Sequence, residues 1–105
     1  LEVTDNLREA LTGADFVIIT ISTGGLDAME HDLEIPKKYG IFQSVGDTVG
    51  PGGWARALRN IPVFQEFADA IQSICPDAWV INYTNPMTVL TRTLTKSGLK
   101  NVVGL

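Results

Sequence analysis

Three short stretches hold the residues whose types and spacing could do chemistry. Ser22-Thr23-Gly24-Gly25 follows a β-branched apolar run and sets two hydroxyls beside two residues without side chains. Glycine lets backbone N–H groups approach a phosphate or ribose closely, and Ser and Thr supply short hydroxyls. The same residues also make an ordinary tight strand-to-helix connection. Gln43-Ser44-Val45-Gly46-Asp47-Thr48-Val49-Gly50-Pro51-Gly52-Gly53 suits a mobile substrate loop or simple turns leading into a helix. Within it, Asp47 can hydrogen-bond a sugar hydroxyl or cap a turn with Thr48. In Asn82-Tyr83-Thr84-Asn85-Pro86-Met87, Asn85 can cap a helix whose first residue is Pro86. Its amide also offers a ligand hydroxyl both a donor and an acceptor.

Other reactive types are scarce. His31 stands between Glu30 and Asp32, as a surface imidazole or a substrate contact on a helix face. The single cysteine, Cys75, has no partner for an internal disulfide and reads as a packing residue at a helix end before Pro76. One His and one Cys leave no zinc-type cluster. The Gly-x-Gly-x-x-Gly dinucleotide fingerprint is missing, because Gly50-Pro51-Gly52-Gly53 has the wrong context.

The elements that must position these loops alternate between helix and strand. A helix is expected over Thr4 to Leu11, capped by Thr4 or Asp5 and stopped by Gly13. Asp15 to Ser22 contains Val17-Ile18-Ile19-Thr20-Ile21, a run apolar on both faces, as in a central parallel strand covered by helices. A short helix follows from Asp27 to about Tyr39, interrupted near Pro36. From Pro51-Gly52-Gly53 a long helix carries Trp54, Leu58, Ile61, Phe64, Phe67, Ile71 and Ile74 at three- or four-residue spacing. Pro62 should kink it and Pro76 end it. Ala78 to Tyr83 is a second buried-type strand, a helix opens at Asn85-Pro86 and closes near Gly98, and Asn101 to Leu105 begins a third strand. The fold class is therefore α/β, a parallel sheet with crossover helices.

Composition narrows the partners. The 105 residues are 45% hydrophobic and 19% charged, which suits one small globular unit. Eight Lys plus Arg against twelve Asp plus Glu give a net charge of −4, a balance unsuited to nucleic acid. Phe16-Val17-Ile18-Ile19 is far too short to span a bilayer, and no signal-peptide pattern opens the chain. With one cysteine, a reducing, cytoplasmic setting is the expectation. The chain opens without Met and closes on Val102-Val103-Gly104-Leu105, so it reads as an excerpt of something longer.

Taken together, three motifs resemble glycoside hydrolase family four, the NAD- and manganese-dependent glycosidases. They are Ile21-Ser22-Thr23-Gly24-Gly25-Leu26, the Val45 to Gly53 loop, and Asn82-Tyr83-Thr84-Asn85-Pro86-Met87-Thr88, in the family's order and approximate spacing. Asn82 to Pro86 alone would be weak, because lactate and malate dehydrogenases carry a similar Asn-Pro after the equivalent strand. Gly46-Asp47-Thr48 with Gly50-Pro51-Gly52-Gly53 is the discriminating part. It is more similar to the α-glucosidase, α-galactosidase and α-galacturonidase branch than to the 6-phosphoglycosidases.

The resemblance implies that residues 1–105 are the later half of an amino-terminal, Rossmann-like NAD-binding domain in a larger enzyme. Ser22, Thr23 and Gly24 would then lie near NAD, Asn85 would touch the sugar, and Asp47 would be a weaker substrate contact. No catalytic residue and no metal ligand is assigned within this chain; the Mn²⁺ ligands are expected mostly outside it, and Cys75 is not one. The implied reaction departs from the two-carboxylate scheme: oxidation at sugar C3, elimination across C1–C2, water addition and re-reduction. The parent would be a homo-oligomer, and the isolated chain inactive. The rival expectations are a fragment of a 2-hydroxy-acid dehydrogenase and a non-catalytic structural or interaction fragment.

Overall fold

The computed structural model describes residues 1–105. In chain order the elements are α1 (Leu7–Leu11), β1 (Phe16–Ile19), α2 (Gly25–Lys37), α3 (Gly50–Ile74), β2 (Trp79–Asn82), α4 (Met87–Lys96) and β3 (Val102–Gly104). The strands form one parallel sheet in the order β1-β2-β3, with Phe16 opposite Trp79 and Ile81 opposite Val103. The α/β parallel arrangement is the one expected from the alternating pattern.

Local differences have local causes. The cap of α1 is Asn6, not Thr4 or Asp5: Asn6 Oδ1 accepts from the Arg8 and Glu9 N–H groups at 3.0 and 3.2 Å. Thr4 instead bonds Glu9 and the Asn6 N–H. Helix α2 starts at Gly25 and runs through Pro36 to Lys37 without interruption. Proline there sits in the last turn, where its missing N–H removes only the bond to the Asp32 carbonyl. That carbonyl faces Gly52, where a Cβ would lie 3.0 Å from it. Helix α3 is likewise unbroken at Pro62, which lies on the exposed side. Helix α4 begins at Met87 rather than at Pro86, whose ψ of 108° is extended and makes it the cap residue.

Side-chain alternation divides the sheet into two unlike faces. Ile19 and Val80 join Leu11, Phe64, Ile71 and Leu90 in the core, so α1, α3 and α4 cover one face. On the other face Phe16, Ile18 and Trp79 are 68%, 62% and 51% exposed. The expectation of helices on both sides of β1 is thus met on one side only, because no element of this chain packs over Phe16 and Ile18. The stripe on α3 also differs from the expected one. Phe64 and Ile71 are buried, but Trp54 and Leu58 are exposed, and Gly53, Ala57 and Asn60 take the inward positions. Small residues there let the chain before α3 approach the helix closely.

Candidate functional site

The three polar stretches converge at the carboxyl ends of β1 and β2, where ligands bind in open α/β sheets. Thr84 staples two of them. Its Oγ1 accepts from the Ile21 N–H at 3.0 Å, while its own N–H donates to the buried Asn82 Oδ1 at 2.8 Å. The loop after β1 turns sharply, the Gly25 N–H donating to the Ser22 carbonyl at 3.0 Å. Gly24 adopts φ +85°, and a Cβ on it would come within 2.6 Å of the Ala28 Cβ. Both the backbone region and the close approach therefore require glycine.

The Thr23 hydroxyl donates to Asn60 Oδ1 at 2.6 Å. Its single proton is then committed, so Thr23 offers any ligand lone pairs only, a polarity that suits a hydroxyl donor such as a ribose and not a phosphate oxygen. Ser22 is exposed beside it.

The glycine-rich loop is folded back on the first turn of α3. A Cβ at Gly53 would lie 2.4 Å from the Thr48 carbonyl carbon, and one at Gly52 would lie 2.8 Å from the Gly46 carbonyl oxygen. The Gln43 side chain clamps the loop, with Nε2 donating to the Val49 carbonyl at 2.8 Å and Oε1 accepting from the Gly52 N–H at 3.2 Å. This packing delivers Asp47 to Asn85. Asn85 Nδ2 donates to Asp47 Oδ2 at 3.2 Å, and the Thr48 hydroxyl donates to Asp47 Oδ1 at 3.1 Å. Asp47 thus bonds Thr48, as expected of a turn residue, and also reaches Asn85 of the third stretch. Asn85 also keeps a cap-like bond, its Oδ1 accepting from the Met87 N–H at 3.2 Å.

Four residues that sequence reasoning missed hold this cluster. Arg56 Nε donates to the Asn85 carbonyl at 3.1 Å. Asn60, fully buried, donates from Nδ2 to the Arg56 carbonyl at 2.9 Å while accepting from Thr23. Arg59 grips Asp32 of α2 in a two-pronged pair at 2.8 and 2.5 Å. Hydrogen bonding to Asp32 raises the Arg59 pKa above its ordinary value, burial opposes that rise, and the charge of Asp32 adds to it. A signal for Asn60 lay in the sequence, because it is a polar residue at helical spacing between Ala57 and Phe64.

The remaining candidates lie apart. His31 is exposed on α2 and makes no hydrogen bond in the cluster. Cys75 is buried at the end of α3, and burial pushes its thiol pKa up, the opposite of a reactive thiolate. No group of three or more His, Cys, Asp or Glu side chains comes together to hold a metal. No helix is long and apolar enough to cross a membrane.

Comparison with known proteins places this architecture. An α-galacturonidase of Thermoanaerobacterium saccharolyticum is 66% identical over 90 residues, covering 86% of this chain and 19% of that protein. The crystal structure of Bacillus subtilis lplD superposes with a TM-score of 0.96 at 52% identity, covering 99% of this chain and 24% of that one. A 6-phospho-β-glucosidase structure from Thermotoga maritima, with manganese, NAD⁺ and glucose-6-phosphate, gives a TM-score of 0.88 at 32% identity. It covers 97% of this chain and 25% of that one. The chain therefore spans about a fifth to a quarter of the length of these proteins. The model of the family described as family 4 glycosyl hydrolase matches residues 1–105, the whole chain, and with the loop cluster and parallel sheet already in place the chain belongs to that family.

Proposed function

We propose that the parent of this chain is an NAD⁺- and Mn²⁺-dependent α-glycosidase acting on a non-phosphorylated sugar, with an α-galacturonide as the favoured substrate. In it, residues 1–105 form the later half of the NAD-binding domain. The observation that carries the reading is the Asp47–Asn85 contact at the strand ends. It puts the sugar-side candidates next to the loop of Ser22, Thr23 and Gly24, to which Thr84 joins them. The similarity supports the galacturonide choice: identity is 66% to an α-galacturonidase, against 44% both to an α-galactosidase and to a probable 6-phospho-β-glucosidase of Bacillus subtilis.

Each candidate site residue has a binding or orienting task. Gly24, in its left-handed turn packed against Ala28, sets the course of the loop toward the cofactor, and Thr23 presents lone pairs to a ribose hydroxyl. Asn85 orients the C2–C3 face of the sugar, and Asp47 fixes the Asn85 amide so that it does not rotate away. When bound, NAD⁺ supplies hydride transfer at C3, and the cation supplies charge stabilisation. In this reading the metal would be held mostly by residues outside 1–105. The setting is cytoplasmic, and the parent is a homo-oligomer.

The test follows nitrophenol release by the full-length parent from α-glucoside, α-galactoside and α-galacturonide substrates, with NAD⁺ and Mn²⁺ each present or omitted. Release requiring both, fastest on the galacturonide, is the expected result. Release indifferent to NAD⁺ overturns the reading, and a faster galactoside or glucoside overturns the sugar choice alone. The 105-residue chain by itself releases nothing.

A further inference from the structure

We propose that Asn60 is a positioning residue that sets the cofactor-facing loop through Thr23 and ties it, by way of Arg56, to the substrate-facing Asn85. This rests on the functional reading above. Asn60 occupies an inward position of α3 between Ala57 and Phe64, where packing alone favours an apolar side chain. Burying an amide costs free energy unless its groups are satisfied. Both ends of this amide are satisfied, and their partners explain its presence. Nδ2 donates to the Arg56 carbonyl one turn back, at 2.9 Å, which turns Oδ1 outward. Oδ1 then takes the Thr23 hydroxyl proton at 2.6 Å. Arg56 in turn sends Nε to the Asn85 carbonyl at 3.1 Å.

One helical turn therefore holds both loops. The linkage Thr23–Asn60–Arg56–Asn85 is continuous, and Asn85 extends it to Asp47 at 3.2 Å. Removing the Asn60 amide frees the Thr23 hydroxyl to rotate and lets it donate its proton elsewhere. It also removes the anchor of a turn whose next residue, Gly24, already occupies a left-handed conformation. Asn60 is fully buried and acts on ligands only through Thr23 and, by way of Arg56, through Asn85.

The test uses the full-length parent and reads NAD⁺ affinity by titration calorimetry, alongside a thermal melt. Thr23→Val and Asn60→Ala each weaken NAD⁺ binding about tenfold, and the double variant weakens it by about the same tenfold, because both remove one shared hydrogen bond. Thr23→Ser keeps the hydroxyl and retains affinity. Losses that multiply in the double variant, or an Asn60→Ala protein that binds NAD⁺ as tightly as the parent, overturn the proposal. Should Asn60→Ala not fold, amide exchange over residues 22–26 in Thr23→Val decides. Faster exchange there supports the anchor, and unchanged protection overturns it. A wild-type parent without affinity for NAD⁺ overturns the functional reading itself and this inference with it.

Discussion

The carboxyl end and the outer face of β1 illustrate opposite ways of using the same strand. At its carboxyl end, the chain leaves through Ile21, Ser22 and Thr23 into a cluster where the buried polar atoms Asn60 Oδ1, Asn82 Oδ1 and Thr84 Oγ1 have partners. Along its body, one face presents Phe16 and Ile18 to solvent, continued by Trp79 on β2. An apolar groove lined by Leu7, Phe16, Ile18 and Phe67 runs along the strand's free edge. The loop cluster is held within this chain by hydrogen bonds and close glycine contacts. The bare face has apolar side chains and no partner. Specific geometry is thus built locally from a few polar residues, whereas hydrophobic coverage requires another layer of structure.

The sharpest way to break that contrast is at Gly53. Alanine there would place a Cβ 2.4 Å from the Thr48 carbonyl carbon, a backbone atom that cannot rotate aside. The loop must lift off α3, taking Asp47 away from Asn85. In the full-length parent, Gly53→Ala is expected to lower kcat/KM about a hundredfold, equivalent to about 2.7 kcal/mol. Asn85→Ala should match it, since both lose the same oriented amide. Steady-state kinetics on the preferred nitrophenyl glycoside measure both. A Gly53→Ala enzyme with parental kcat/KM would show that the loop's close packing has no part in positioning.

The same geometry explains what could be read from the sequence. The alternation of β-branched runs with helical spacing is a local property, so α1 to β3 were all visible, with boundaries off by a few residues. The glycines of Gly46 to Gly53 were visible as a cluster, but what they approach was not. Gly53 meets the Thr48 backbone in the turn that enters α3, and Gly52 meets the Asp32 carbonyl, a contact that exists only once α2 and α3 pack. Ser22, Thr23, Gly24, Asp47 and Asn85 were legible as types. Their supports, Asn60 and Arg56, looked like ordinary helix residues, because a hydrogen bond across 37 residues leaves no periodic trace. The inward stripe of α3 was displaced toward Trp54 and Leu58 because size suggests burial. The small residues Gly53 and Ala57 were chosen instead, because a loop had to come close.

A weaker effect is expected on the bare face. Apolar side chains that alternate along β1 and continue on β2 make a patch of the kind that associates when left uncovered. The isolated 105-residue chain should therefore elute from size exclusion ahead of a monomer. Ile18→Thr keeps a β-branched residue in the strand while removing apolar surface, so it should shift elution toward the monomer with a stability change of about 0.5 kcal/mol or less. A clean monomer for the unaltered chain would remove the distinction between a satisfied end and an unsatisfied face.

The smallest effect lies at the opposite end of the covered side, where Cys75 closes α3. Its thiol is buried and its pKa raised by that burial, so the folded chain retains the proton at a pH where the unfolded chain releases it. Because the unfolded state then binds fewer protons, stability falls as pH rises above about 9, the range in which a free thiol ionises. The stabilising contribution is intact below that range and is lost as pH climbs toward the folded value. Urea melts of the 105-residue chain from pH 8 to 10 should show the decline. Cys75→Ala has a lower starting stability from the cavity it leaves, but a shallower slope with pH. Equal slopes in the two chains would mean that the thiol ionises as readily folded as unfolded, and that the covered face admits water at the end of α3.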